Sequence, residues 1–257
     1  MLTTRYQKVR ALSLPDILRM HALFEAHYAS SPLTTFLDDL SRKDGAFVVR
    51  HRQTGEIVGF STLGIYTFQL GGRRAKGLFS GDTIIEGAHR GSRTLQKAFA
   101  WKLFIEAIKA PLTPQYWLLI SKGYKTYLLM ARNFPEYHPR RDQASPAMAA
   151  MVQEYCEALF PGKLNRQTML LEFGNDANRL KPDVADITDA MRTDPDIRHF
   201  ERLNPTWSEG TELPCLARTD LVAFVKAIGP FMLKVLKHRF AARPVVADQS
   251  DEAARAA

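Results

Sequence analysis

Apolar residues recur with two different periods along the chain, and the switches between them mark out its elements. Ile17, Met20, Phe24 and Tyr28 are spaced as on one face of a helix. Just before them, Ser13-Leu14-Pro15-Asp16 supplies a hydroxyl cap, an acid three residues on and a proline in the first turn. The preceding residues 6–12 have the length of a strand. Ser30-Ser31-Pro32 breaks the helix, residues 37–40 suit a short second one, and Lys43-Asp44-Gly45 turns the chain. A β-type pattern follows over 46–52, 57–70 and 75–85, separated by a turn at 53–56 and by Gly71-Gly72-Arg73-Arg74, which predicts three consecutive antiparallel strands. The period then returns to helical over 93–109, with Leu95, Ala98, Trp101, Ile105 and Ile108 expected on the buried face. Pro111 and Pro114 end that helix. Residues 115–121 read as a nearly continuous apolar strand from the middle of a sheet, followed by a helical stretch over 124–134.

Beyond Pro139 the pattern predicts a helix over 146–159, a strand over 168–173, an Asp-rich connection over 175–196 and a strand over 212–217. A last helix is expected over 219–240. Its stripe of Leu221, Phe224, Val225, Ile228, Phe231, Met232, Val235 and Leu236 ends in Lys234, Lys237, His238 and Arg239, with a kink at Pro230. Two uses fit this stripe: packing onto the domain, or covering an apolar channel or resting on an anionic membrane. The organisation expected is a core over 1–140, a C-terminal extension over 141–240 that completes the sheet and adds helices, and a disordered tail over 241–257. The class is α/β with a mixed sheet.

Composition narrows the function. In 257 residues, 46% are hydrophobic and 24% charged, which suits a globular chain, and no run of 18 apolar residues exists to span a bilayer. The polar start Met1-Leu2-Thr3-Thr4-Arg5 has no apolar export core, so a cytoplasmic, at most membrane-peripheral, location is expected. Cys156 and Cys215 read as two buried thiols. The seven histidines lack the spacing of a zinc site, so no metal is expected, and no Gly-x-Ser-x-Gly elbow occurs. Lys and Arg exceed Asp and Glu by 35 to 27, a net +8 that favours anionic partners such as phosphorylated ligands, acidic carrier proteins or anionic lipids. The basic residues are dispersed, so no nucleic acid is expected.

The most informative stretch is Ile84-Ile85-Glu86-Gly87-Ala88-His89-Arg90-Gly91-Ser92-Arg93-Thr94-Leu95, where a strand turns through Arg-Gly into an amphipathic helix. The first amides of a helix lack backbone partners and sit at its positive pole, so such a turn either cradles a phosphate or is a plain solvated turn.

In its order of elements, with this turn after the fourth strand, the segment of roughly 5–138 resembles the GNAT superfamily of acyl-coenzyme A dependent N-acyltransferases. Their pyrophosphate loop has the pattern Arg/Gln-x-x-Gly-x-Gly/Ala. Arg90-Gly91-Ser92-Arg93-Thr94-Leu95 lies at its place, with Arg93 at the first glycine position and Leu95 at the second. The resemblance implies a GNAT-like fold, with a central, mostly antiparallel sheet flanked by helices. It also implies transfer of an acyl group from an acyl-CoA or acyl-carrier-protein (ACP) thioester to a small amine, by direct attack in a split between the fourth and fifth strands. Ile84, Ile85, Arg90, Gly91, Ser92, Arg93 and Thr94 would then hold the donor. Ser80, Asp82 and Ile84 are expected on one face of the fourth strand by its period of two, with Asp82 either accepting the amine proton or serving as a structural carboxylate. Tyr127, with Tyr124 as the alternative, would protonate the thiolate, unless both are packing aromatics. Two further readings stay open: a catalytically inactive scaffold for ligand sensing or interaction, and an enzyme similar to autoinducer synthases that takes carrier-bound acyl chains.

Overall fold

The computed structural model describes residues 1–28, 32–89, 91–174 and 187–226. Its centre is a seven-stranded sheet built from β1 (Leu2–Lys8), β2 (Gly45–His51), β3 (Ile57–Leu70), β4 (Arg73–Ile85), β5 (Gln115–Ser121), β6 (Tyr137–His138) and β9 (Leu213–Arg218), in the order β1-β2-β3-β4-β5-β9-β6. Every neighbouring pair is antiparallel except β4 with β5. Two short strands, β7 (Leu164–Asn165) and β8 (Leu170–Leu171), pair separately. The helices are α1 (Leu14–His27), α2 (Leu33–Ser41), α3 (Thr94–Lys109), α4 (Tyr124–Asn133), α5 (Pro146–Leu159) and α6 (Pro195–Leu203). This is the GNAT-like α/β class that the resemblance implies.

Local chemistry accounts for the boundaries. The Ser13 hydroxyl accepts from the Asp16 amide and Ser145 accepts from Met148, each just ahead of a proline in the first turn, so α1 and α5 start where caps stand. The β3–β4 hairpin closes through Gly71 and Gly72 at φ +58° and +73°, left-handed values that side chains resist.

Four expectations need correcting. The first strand occupies 2–8, and Val9–Ala11 form a 3-10 turn in place of its predicted end. The second helix is longer than 37–40, running Leu33–Ser41. Helix α6 rises inside the expected connection: Asp194 caps it, accepting from the Asp196 and Ile197 amides, with Pro195 in its first turn. The strand over 168–173 shrinks to Leu170–Leu171. The expected helix over 219–240 is seen as helical at 221–226; the rest of it, and the tail, lie outside the described residues.

Helix α3 also sits rotated from its expected face. Leu95, Leu103 and Ala107 are buried, whereas Trp101 is 63% and Ile108 47% exposed. The cause is polar. Glu106 turns inward and binds Lys76 (3.2 Å), Lys102 (3.1 Å) and Lys109 (2.8 Å), tying α3 to the start of β4. Burial would raise its pKa, but the three lysines outweigh that and hold it at about 2.

One face of the sheet carries α3 and α4 over a core that includes Phe47, Leu63, Leu78, Trp117, Leu119 and Tyr127. The opposite face carries two separate cores: Phe24, Phe36, Phe60 and Ile84 at the α1 and α2 end, and Phe79, Leu118, Val152 and Tyr155 beneath α5. The candidate site lies at the seam between them.

Candidate functional site

Strands β4 and β5 pair from Lys76↔Gln115 to Ser80↔Leu119, and there the ladder stops. Beyond that point β4 stays paired with β3 as far as Ile85, and β5 stays paired with β9 through Ile120↔Pro214 and Ser121↔Leu213. The two strands therefore keep their outer partners and lose each other, which opens a wedge in the sheet.

A β-bulge sits at the apex. Ser61 pairs with Thr83 and Leu63 with Ser80, so the single residue Thr62 opposes both Gly81 and Asp82. The extra residue breaks the period of two. Ser80 points to the α3–α4 face, where its hydroxyl accepts from Trp117 Nε1 at 2.8 Å, while Ile84 packs in the α1–α2 core. The expectation that Ser80, Asp82 and Ile84 share one face is thus overturned for Ser80.

Around the bulge gather charged groups from several elements. Lys43, just after α2, has its ammonium 2.7 Å from Asp39 and 5.3 Å from the Phe79 ring centroid. Lys122, just after β5, lies 3.3 Å from the buried Glu212 carboxylate and 4.9 Å from the centroid of Tyr28, at the end of α1. Asp82 feels all of them. Burial, followed by the charge of Asp39, pushes its pKa up to about 6, against the opposing pull of Lys122 and Lys43. Burial raises Glu212 as well, Lys122 draws it back, and Asp82 and Asp39 add to the rise. Burial, with Asp82 and Glu212 nearby, likewise keeps the Tyr28 hydroxyl protonated well above the ordinary phenol range.

The loop expected to hold phosphate lies on the chain directly after the wedge. Residues Gly87–His89 form a 3-10 turn, Arg93 occupies the N-cap position of α3, and the Ser92 hydroxyl accepts from the Thr94 amide at 3.4 Å. A side chain at Gly91 would meet nothing within 4 Å, Arg93 is exposed, and Leu95 is turned into the core. The bulk at the Leu95 position therefore does not crowd the turn. Arg90 lies outside the described residues. Ile84 and Ile85 are the last residues of β4 paired with β3. Just upstream, Glu86 pairs with Arg19 at 2.5 Å.

Tyr127 is fully buried, donates its hydroxyl to the Pro139 carbonyl at 3.0 Å and packs on Phe200 and Tyr137. Burial holds its pKa above the usual phenol value. Tyr124 is buried as well and donates to Met191 Sδ at 3.3 Å. The structure thus sets Asp82 at the bulge, places the turn before α3 beside Met1, Leu2 and His51 at the ends of β1 and β2, and holds Ser80 and both tyrosines in hydrogen bonds of the core.

Sequence reasoning missed Tyr28, Asp39, Lys43, Thr62, Lys122 and Glu212. Each is an ordinary residue in its own stretch, and only the three-dimensional seam joins them. Among the described residues there is no group of three metal-ligating side chains, and no helix is long and apolar enough to cross a membrane.

No known family profile matches the chain, and no curated protein matches it. Likeness is found among solved structures. A conserved Enterococcus faecalis protein described as a probable N-acyltransferase matches with TM-score 0.38 and 14% identity over 51% of this chain, and only 33% of that protein's length is covered. A Trypanosoma brucei acetyltransferase matches with TM-score 0.38 and 20% identity over 56% of this chain and 99% of its own. Arabidopsis thaliana NAA60, solved with a bisubstrate analogue, matches with TM-score 0.39 and 12% identity over 51% of this chain and 83% of its own.

Proposed function

We propose that the chain is an N-acyltransferase that moves an acyl group from a thioester to a small amine within the wedge between β4 and β5. The observation that carries this reading is the placement of Asp82. A carboxylate whose proton affinity is shifted to about 6 stands beside the bulge where two parallel strands part, suited to take a proton from an amine near neutral pH. Unpaired backbone edges on both sides of the wedge offer hydrogen bonds to an extended amide-bearing arm such as pantetheine. The positive end of α3, with Gly91, Ser92, Arg93 and Thr94, receives the phosphate groups of an acyl-CoA or the single phosphate of an acyl-carrier protein. Arg90 belongs to the same proposal by sequence.

The chemistry is direct. The ammonium gives one proton to Asp82, the freed nitrogen attacks the thioester carbonyl, the C–S bond breaks, and the proton lost by the new amide nitrogen goes through solvent to the thiolate. Tyr127 is left to the core in this scheme, since its hydroxyl is already committed to Pro139.

The inactive-scaffold alternative is favoured by one observation, that both candidate tyrosines are buried and occupied. A thioester assay separates the readings. Purified protein is supplied with acetyl- and octanoyl-coenzyme A, and with the same acyl groups on a carrier protein, against a panel of primary amines. Thiol release that depends on amine supports the enzyme, and tight thioester binding without release supports the scaffold.

A further inference from the structure

Thr62 is 1% exposed, and its hydroxyl has no hydrogen-bond partner among the described residues. It is aimed at the bulge: Thr62 Oγ1 lies 2.3 Å from where a Cβ on Gly81 would stand, and the Lys43 Cε lies 3.2 Å from the same point. A buried, unpaired hydroxyl costs about 1–3 kcal/mol. A few other buried polar atoms share this state, but Thr62 is the one that stands at the bulge, and a ligand entering there would bond to it.

The charges next to it define what that is. Lys43 is closed by Asp39 at 2.7 Å and Lys122 by Glu212 at 3.3 Å, while no cation of the described residues makes an ion pair with Asp82. Three carboxylates thus face two ammoniums, and the uncompensated charge is that of Asp82. An entering ammonium brings three donors, enough for both the Asp82 carboxylate and Thr62 Oγ1. A carboxylate or phosphate entering with it meets no unpaired cation in this cluster and faces acidic groups on three elements.

Resting on the acyltransferase reading above, we propose that Thr62 and Asp82 form the acceptor subsite. It takes alkylamines, including di- and polyamines, and rejects amines that carry a carboxylate or phosphate close to the nitrogen. The ammonium passes one proton to Asp82. The freed lone pair then attacks the thioester carbonyl, the C–S bond breaks, and the proton lost by the new amide nitrogen goes through solvent to the thiolate.

The test uses three acceptors of matched length, butylamine, 1,4-diaminobutane and 4-aminobutanoate, with the full chain and acyl-coenzyme A. Calorimetry of each amine with the protein alone is run beside the assay. Butylamine and diaminobutane are expected to exceed 4-aminobutanoate in kcat/KM and in affinity by about tenfold or more, which is about 1.4 kcal/mol. Thr62→Val is expected to raise KM for butylamine, to weaken its calorimetric binding, to leave thioester affinity unchanged, and to raise the melting temperature of the free protein as the unpaired hydroxyl is lost. Equal use of 4-aminobutanoate overturns the proposal, and so does butylamine binding that is indifferent to Thr62→Val. If butylamine binds as described and no thioester is consumed, the subsite stands and the acyltransferase reading falls.

Discussion

The two halves of the β4–β5 junction are built from the same strands and treat their polar groups in opposite ways. In the paired half most of the groups are closed, with Gln115 Oε1 the exception. The Gln115 amide donates to the Leu103 and Thr219 carbonyls at 2.9 and 3.0 Å, Trp117 donates to Ser80, and Lys76 meets Glu106. In the splayed half, Asp82 lacks an ion pair among the described residues and the Thr62 hydroxyl is unpartnered. Satisfied polar groups fix one arrangement, whereas unsatisfied ones persist where a ligand completes them. Under the proposed function the junction divides its labour along one strand, with stability below Ser80 and chemistry above it.

The sharpest way to break this comparison is Asp82→Asn. Turnover is expected to fall by about two to four orders of magnitude, the usual contribution of a general base, with melting temperature nearly unchanged. The wild-type rate profile should carry an inflection near pH 6, rising as Asp82 ionises, and that inflection should be absent from the variant. Trp117→Ala attacks the other half. It empties a site that is 2% exposed and stacked between Phe99 and Phe134, and a loss of about 3–5 kcal/mol in denaturant unfolding is expected.

Glu106→Gln comes next, at about 2 kcal/mol, because three lysines lose their shared partner, one of them exposed enough to be screened by solvent. The sign with pH follows from a folded pKa of about 2 against an ordinary 4.5. The stabilisation is complete above about 4.5 and is lost as pH falls toward 2, so acid titrations of wild type and variant should converge there. Smallest is Tyr127→Phe, which removes one buried hydrogen bond. A loss of about 1 kcal/mol in stability with unaltered turnover is expected, and a large fall in turnover would move catalysis across the sheet to the α3–α4 face.

Local signals made most of the elements legible. Ser13 with Pro15 announced the first helix, and Gly71-Gly72 announced the hairpin. The cue for α6, Asp194 ahead of Pro195, is equally local and stands in a stretch read as a connection. The bulge is a different matter. One added residue moves Ser80 and Ile84 to opposite faces, and the local cue to it is Gly81 inside the strand pattern, which does not say by itself that a residue is added there. The rest of the site was illegible for a related reason. Thr62, Lys43, Lys122 and Glu212 come from separate elements, and each reads alone as an ordinary polar residue. The inward turn of Glu106 was hidden likewise, since its partner Lys76 lies on strand β4, distant in the chain.

The position of β9 bears on how the chain acquires its shape. This strand, the last of the sheet in sequence, lies between β5 and β6 and covers the edge of β5 that faces away from the wedge. Until it arrives during synthesis, β5 offers an unprotected apolar margin to any other chain within reach. Distant pairing of this kind slows assembly and lengthens the interval of exposure. Production of the protein is therefore a contest between intramolecular closure and self-association, one that lower temperature and lower expression rate tilt toward the native form.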